Sequence, residues 1–497
     1  MSVEYNLPIV RERKLAIQTG DPERVAEQKK LGKMTARERI GLLFDKASFV
    51  ELDALVGRDG ESGVVTGYGL IDGRPACVYA QDYTVMGGAV GAEHARKVIK
   101  VMDLAAKTGA PVVALFDSMG VRLKEGVDAV NAYASISAKT AQLSGVVPQI
   151  AVVLGQCAAS AAMVAVQNDL VIVGESGRMF MNGPQVVSAN TPDKVDAKSL
   201  GGAQACLKNG LAQLACGTDE EAIAMARALV CMLPANNLED APVDLTQPDD
   251  VNRLIPQLDQ IDTVTDVKSV LAGIADNGKV LELGAGCAPE MVVALAAIGG
   301  RTVGFVATQP GVGEGALTAE GCHKAARFVR LMDCYNIPVI TLCDSVGLSV
   351  ADAGGQCQLA RGCAQLSAAL ADASVPRIAL VTGNAVAAAY MVLAARSAAD
   401  MVYAWPGSVI APLTVKAAVQ VLMPGKLAGS AEALKKREEL EKDYQQNVAD
   451  GVNAAKMGYV DDVIEPSQTR QMLAAALEML SSKRDSRLPK KHGNLPL

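Results

Sequence analysis

Histidine and tryptophan are nearly missing from this chain of 497 residues: there are three histidines and one tryptophan (Trp405), and aromatics in all make up 3%. Three scattered histidines assemble no convincing Ser/His/Asp set and leave no obvious general base. No two of the eleven cysteines have Cys-x-x-Cys spacing, and their number is odd. That speaks against a disulfide framework and, with so little histidine, against zinc. The expectation is reduced, buried thiols in a cytoplasmic protein. Excess positive charge is lacking too: Lys plus Arg is 47 against Asp plus Glu 54, a net charge of −7. Nucleic acid is therefore a poor partner, although a local basic patch could hold an anionic small molecule. The N-terminal MSVEYNLPIVRERK has no apolar run, so no secretory signal is expected. Residues 378–395 lack charge but only just reach spanning length, and Thr382-Gly383-Asn384 interrupts them. They read as a strand running into a buried alanine-rich helix (AVAAAYMVLA).

What is present is apolar and small. Half of the residues are hydrophobic and 46 are glycine, enough for two large domains packed through Ala, Gly and Val. An internal duplication organises them. Asp117-Ser118-x-Gly120 recurs as Asp344-Ser345-x-Gly347, 227 residues on; VPQIAVVLGQCAASAAM (147–163) recurs as VPRIALVTGNAVAAAYM (375–391), 228 on; and DGRPACVYAQD (72–82) recurs as GGRTVGFVATQ (299–309). Each half reads as a β-rich run, an amphipathic helix (about 92–107 in the first), an apolar strand ending in Asp-Ser-x-Gly, a helix and a strand–turn–helix. The fold class is α/β, with parallel strands covered by helices. We place the domains at 1–240 and 241–497, with the boundary in the Pro- and Asp-rich stretch 241–257. The charged run 426–447 reads as a solvated helix.

Some apparent motifs are decoys. Gly273-x-x-x-x-Gly278-Lys279 nearly spells a phosphate loop, but Val280 replaces the Ser/Thr and a strand (VLELGA) is expected next. Gly311-Val-Gly-Glu-Gly315 reads as a turn. His94 and His323 fall at similar repeat positions near helix starts, where capping or packing is the plainer role. The duplicated strand–turn–helix carries more: Gly155-Gln156-Cys157-Ala158-Ala159-Ser160-Ala161 and Gly383-Asn384-Ala385-Val386-Ala387-Ala388-Ala389 put tiny residues where a helix begins. Free N–H groups there would stabilise an oxyanion. Close helix–sheet packing explains the same residues, and their types alone leave both readings open.

Longer strings carry a resemblance. LGKMTARERIGLLFDKASFVELD (31–53), GVVTGYGLIDGRPACVYAQDYTVMGGAVG (63–91), DSMGVRLKEGV (117–127), LPANNLEDAP (233–242), GYVDDVIEP (458–466) and KRDSRLPKKHGNLPL (483–497) resemble the carboxyltransferase subunits of biotin-dependent acyl-CoA carboxylases. Methylmalonyl-CoA and glutaconyl-CoA decarboxylase alpha subunits belong to the same family. The resemblance implies two tandem crotonase-like domains of β-β-α units and a homo-oligomer, usually a hexamer. It also implies that the N-terminal domain takes acyl-CoA and the C-terminal domain of another subunit takes carboxybiotin. Coenzyme A thioester is then the substrate. Biotin would sit on a separate carrier protein served by a biotin carboxylase subunit, since neither an Ala-Met-Lys-Met string nor an ATP module is present; AAKMG (454–458) lacks the first Met. The family's chemistry releases CO2 from carboxybiotin, takes the α-proton onto the biotin nitrogen, and lets the thioester enolate attack CO2.

Carried over by residue, the resemblance puts the thioester oxygen on Ala159 and Ser160, and the biotin ureido oxygen on Ala388 and Ala389. Tyr390 follows, Met391 would line the acyl pocket, and Gly120, Val121 and Arg122 would border the CoA side. The chain departs from the family where Gly-Gly has become Ala159-Ser160, where DSGG has become Asp117-Ser118-Met119-Gly120, and where a second-half glycine has become alanine. DSVGLSVADAGGQ (344–356) replaces a PG-x-x-PG-x-x-x-E segment. Added methyls narrow the approach. Two alternatives therefore accompany the carboxylase reading: the alpha subunit of a sodium-pumping decarboxylase with a membrane partner, and a non-catalytic scaffolding paralogue.

Overall fold

The structure, a computed structural model, describes residues 3–57, 61–192, 194–261, 263–422, 433–485, 489, 491, 493 and 494. The chain divides into two compact units, Met1–Glu239 and Asp240–Leu497. In the first, the sheet contains β1 (Val50–Leu52), β2 (Val64–Ile71), β3 (Arg74–Gln81), β4 (Val112–Phe116), β5 (Gln149–Val153), β7 (Leu170–Gly174) and β9 (Leu214–Cys216), in that spatial order. Two short strands, β6 (Gln156–Ala158) and β8 (Arg178–Phe180), pair with each other apart from it. β1–β3 form an antiparallel meander, and every pairing from β3 to β9 is parallel.

The second unit repeats this plan with β10 (Val280–Leu283), β11 (Met291–Ile298), β12 (Arg301–Thr308), β13 (Val339–Ser345), β14 (Arg377–Val386), β15 (Met401–Ala404), β16 (Val409–Ala411) and β17 (Asp462–Val463). The sheet order is β10-β11-β12-β13-β14-β15-β17, with β16 on the far end of β14. The two ladders share one register: Cys77 faces Val112, and 227 residues later Gly304 faces Val339. The parallel α/β expectation holds in each half; the added feature is the antiparallel lead-in, which sequence patterning left as a β-rich run.

Continuous apolar stretches become buried strands because helices cover them. VVALF and QIAVV are buried at every position. The Ala92–Thr108 helix turns seven residues inward, from His94 to Ala105, in an amphipathic spacing. It ends on Gly109 at φ +66, a left-handed cap where a side chain would also strike Asn236.

Several expectations change. β14 runs through Val386 rather than stopping at Gly383, because Asn384–Val386 find hydrogen-bonding partners in β16. The alanine-rich segment after it is one wide turn, a π-helix over Tyr390–Ala394, and not a long helix. Among the described residues no helix is long and apolar enough to cross a membrane. A strand does follow Lys279, and Gly313–Gly315 is a turn of 3-10 helix. None of the eleven cysteines is in a disulfide, but only five are buried; Cys334 and Cys357 are exposed. The helix in the charged run spans Ala433–Tyr444, while 426–432 lie outside the described residues, as do 486–488, 490, 492 and 495–497 of the closing string. His94 and His323 are not equivalents: with the helices Ala92–Thr108 and Ala319–Cys334 superposed by start, His94 matches Gly321. His323 is exposed, whereas His94 is fully buried.

His94 is also chemically unusual, since neither ring nitrogen has a hydrogen-bond partner. Burial, helped by the positive charges of Arg122 and Lys97 and opposed weakly by the Ser62 backbone, lowers its pKa to about 3. The unfolded chain takes this proton below about pH 6.5 and the folded chain does not, so stability falls with acidification from there to about pH 3. The slope is about 1.4 kcal/mol per pH unit. Between pH 6.5 and 4.5, before carboxylates matter, urea titration of His94→Leu should show that slope removed.

Candidate functional site

The two repeated loops and the two repeated turns meet in each unit. After β4 the backbone of Ser118 donates to the Gln156 carbonyl (2.8 Å), which ties the Asp-Ser-x-Gly loop to β6. Ser118 and Ser345 each cap their own loop, accepting from the N–H of Gly120 (3.0 Å) and Gly347 (3.2 Å). Those glycines sit at φ +110 and +114, where other residues are strained. The loop carbonyls are also matched: Gly120 accepts from Val90 N–H and Gly347 from Leu317 N–H, both at 2.8 Å.

The carboxyl of each loop fills the space of a missing side chain. A Cβ on Gly155 would lie 1.8 Å from Asp117 Oδ1, and one on Gly383 would lie 2.4 Å from Asp344 Cγ. Each aspartate is thus pressed against the strand that leads into the turn. The two are neutralised differently. Asp117, wholly buried, takes Lys33 at 3.1 Å and Arg39 at 2.9 Å; Arg39 also binds Asp219 and the Leu154 carbonyl, both at 2.9 Å. Among the described residues no such cation reaches Asp344. Its Oδ1 accepts from the N–H (2.7 Å) and Nδ2 (3.2 Å) of Asn384, and burial raises its pKa above the usual carboxylate value despite those two bonds.

The turns correspond in burial and in the φ of their entry residue, although the first continues as an α-helix and the second as a π-helix. Ala159 and Ala387 are exposed, Ser160 and Ala388 half-buried, Ala161 and Ala389 buried. Ala159 lies at φ +51, ψ −119 and Ala387 at φ +49. Their own N–H groups are spent, Ala159 on Phe180 C=O (3.0 Å) and Ala387 on Ala411 C=O (2.9 Å). Ala159 is therefore corrected as a donor: β8 takes its N–H. The first-turn amides left over in the first unit are those of Ser160 and Ala161. They match Ala388 and Ala389 in the second, and no side chain caps either turn. Two adjacent N–H groups at a helix start can hold an oxyanion without any titratable group.

Among the other expected residues, Val121 bridges to Val90. Arg122 is already committed: Nε donates to Ala89 C=O (3.0 Å), one terminal nitrogen to Glu61 C=O (2.6 Å), and the other approaches Glu125 (3.4 Å). It braces the loop. Tyr390 is half-buried, its hydroxyl pKa raised by burial and by Tyr459. Met391 is 56% exposed. A cavity of about 970 Å³ in the first unit has Met119 of the loop on its wall, with Arg24, Arg37, Glu51, Tyr83 and Lys97. Two lysines were missed by sequence reasoning, although the 227-residue offset pairs them. Lys97 Nζ donates to Val64 C=O (2.7 Å) and Ser62 Oγ (3.1 Å); Lys324 Nζ donates to Cys287 C=O (2.5 Å) and Ala288 C=O (2.9 Å). Burial lowers the pKa of both, Lys97 to about 8.

Comparison with known proteins fits this geometry. The carboxyl transferase domain family matches residues 27–495. The methylmalonyl-CoA decarboxylase subunit alpha of Veillonella parvula is 39% identical over the whole of both chains. The propionyl-CoA carboxylase beta chain of Saccharopolyspora erythraea is 38% identical, covering 97% of this chain and 94% of that one. The crystal structure of transcarboxylase 12S, a hexamer with hydrolysed methylmalonyl-coenzyme A bound, superposes with a TM-score of 0.94 at 36% identity, covering 100% and 99% of the chains.

Opposite changes at neighbouring positions test the turn. Ala159→Gly and Ala387→Gly should each raise unfolding free energy by roughly 1 kcal/mol, strain relief outweighing glycine's entropy. Gly155→Ala, driving a methyl into Asp117, should cost about 2 kcal/mol; both read out in denaturant melts.

Proposed function

Because the chain belongs to the carboxyl transferase domain family, we propose that its two donor turns serve carboxyl transfer between biotin on a separate carrier protein and the α-carbon of a short acyl-CoA. The chain is an acyl-CoA carboxyltransferase of the propionyl-CoA carboxylase type with the crotonase-like fold of transcarboxylase 12S. The observation that supports the finer reading is the pair of free amide couples, Ser160–Ala161 and Ala388–Ala389, at the same place in both halves. In the first unit they would hold the thioester oxygen as the α-proton leaves, and in the second the ureido oxygen. Carboxybiotin, when bound, would supply the CO2 by losing its N-carboxyl group, and the ureido nitrogen so freed would accept that proton. Orientation and oxyanion stabilisation are all that the protein has to add, which suits a site poor in histidine. Met391, exposed one residue beyond Tyr390, would face the acyl group.

The hexamer described for transcarboxylase 12S suggests the same assembly here, with biotin carrier and biotin carboxylase as partner subunits. Decarboxylation is the second reading, favoured by the 39% identity to a methylmalonyl-CoA decarboxylase alpha subunit; it uses the same site with a membrane partner. The altered glycines motivate a scaffolding role, but the alanines that replaced them leave both amide couples in place.

Purified chain given free biotin should decarboxylate malonyl- or methylmalonyl-CoA. Ala388→Leu, which obstructs the second turn, should lower turnover about 100-fold or more in a coupled assay, with an unchanged circular dichroism spectrum. Folded wild-type protein that neither turns over nor binds these thioesters would refute the reading.

A further inference from the structure

The halves agree in backbone and differ in charge. Asp117 sits between Lys33 and Arg39, whereas Asp344, only 6% exposed, has no lysine, arginine or histidine within ion-pair distance among the described residues. The groups packed against its side chain are uncharged: Gly383 and Asn384 on β14. Thr308 on β12 bonds only the Asp344 backbone, giving to its carbonyl (2.9 Å) and accepting from its N–H (2.8 Å). Gly315 meets the same carbonyl, and Glu314 enters only through its own backbone carbonyl, which accepts from Val346. Cys343, its chain neighbour, has a thiol pKa pushed up by burial and by Asp344's charge, so it stays neutral.

A buried carboxylate without a cation costs stability, and Asn at this position would avoid the cost. Groups kept against stability cluster where function needs them. What the charge does here is visible: one oxygen, Oδ1, takes both the backbone and the side-chain N–H of Asn384, and charge-assisted bonds are the stronger kind. Four residues after Asn384 the donor amides of Ala388 and Ala389 begin. We propose that Asp344 is the positioning residue of the second donor turn, its charged carboxylate fixing Asn384 and thereby the aim of the Ala388–Ala389 amides. In the first half Gln156 stands where Asn384 does, but the carboxylate of Asp117 is taken up by Lys33 and Arg39, so ion pairs hold it there in place of the amide donors of the next strand. The inference rests on the reading of the second turn as the ureido-binding one.

The sign of the pH effect follows from burial. The folded chain holds the Asp344 proton more tightly than the unfolded chain, so this group's contribution favours folding at low pH and opposes it once the carboxyl ionises. Activity runs the other way, declining as the charge is lost. Biotin-dependent decarboxylation of malonyl-CoA by the full-length chain tests this with Asp344→Asn. The variant should raise KM for free biotin or lower kcat about tenfold, leave KM for malonyl-CoA within twofold, and lose the acid inflection of the wild-type pH profile. Its melting temperature at pH 8 should rise by about 2–4 °C, a gain that shrinks on acidification. Asp117→Asn, which strips buried Arg39 of a partner, should melt lower instead. An active wild type with an Asp344→Asn variant equal to it in biotin KM, kcat and pH profile would overturn the proposal and leave the carboxyltransferase reading standing. A wild type without biotin-dependent turnover would count against that reading.

Discussion

A carboxyl group packed into the hollow of a glycine organises both sites. Asp117 against Gly155 and Asp344 against Gly383 leave no room for even one methyl. The loop after one strand is thereby locked to the start of the next strand's extension, in close packing that transmits displacement and does not absorb it. Everything nearer the chemistry is hung from this contact. The serine cap, the left-handed glycine three residues after each aspartate, the paired strand leading out and the turn with its free amides all follow in the same order in both halves. Burying a carboxyl so deeply requires compensation, and the halves supply it in different ways: ion pairs in one, amide donors in the other.

The small side chains at the turns are intelligible from the backbone they occupy. Ala159 and Ala387 occupy backbone conformations that suit glycine, yet the strain falls on residues whose amides are already used by β8 and β16. The two amides that follow in each turn persist whatever side chain their residues carry, Ser160 included. A methyl at the entry residue alters the rim and its stability, not the number of donors. Backbone chemistry is tolerant in this sense: it depends on dihedral angles and helix position more than on side-chain identity.

Charge in both units is handled by desolvation as much as by pairing. Lys97 and Lys324 spend their ammonium groups on backbone carbonyls rather than on carboxylates. Among the described residues neither ring nitrogen of His94 has a close hydrogen-bond partner, and the ring stays neutral by burial. Arg122, placed by family resemblance at the CoA side, is occupied with the carbonyls of Ala89 and Glu61.

Much of the architecture could be read from residue order. The 227-residue offset, the apolar runs VVALF and QIAVV, and the small residues before Ser160 and Ala388 required a duplicated α/β plan with equivalent strand–turn–helix elements, because periodicity and burial are local properties of a chain. Which amides remain free could not be read in that way: Ala159 loses its N–H to Phe180, twenty-one residues distant and on another strand. Nor could the contrast between Asp117 and Asp344, since Arg39 reaches the former from the distant helix Ala36–Leu43 and Lys33 from the loop before it, and the stretch of β14 beyond Gly383 was settled by its pairing with β16. Hydrogen-bond occupancy and charge compensation are sums over neighbours in space. Residue types set the candidates, and only the folded chain decides which partners are close enough to claim them.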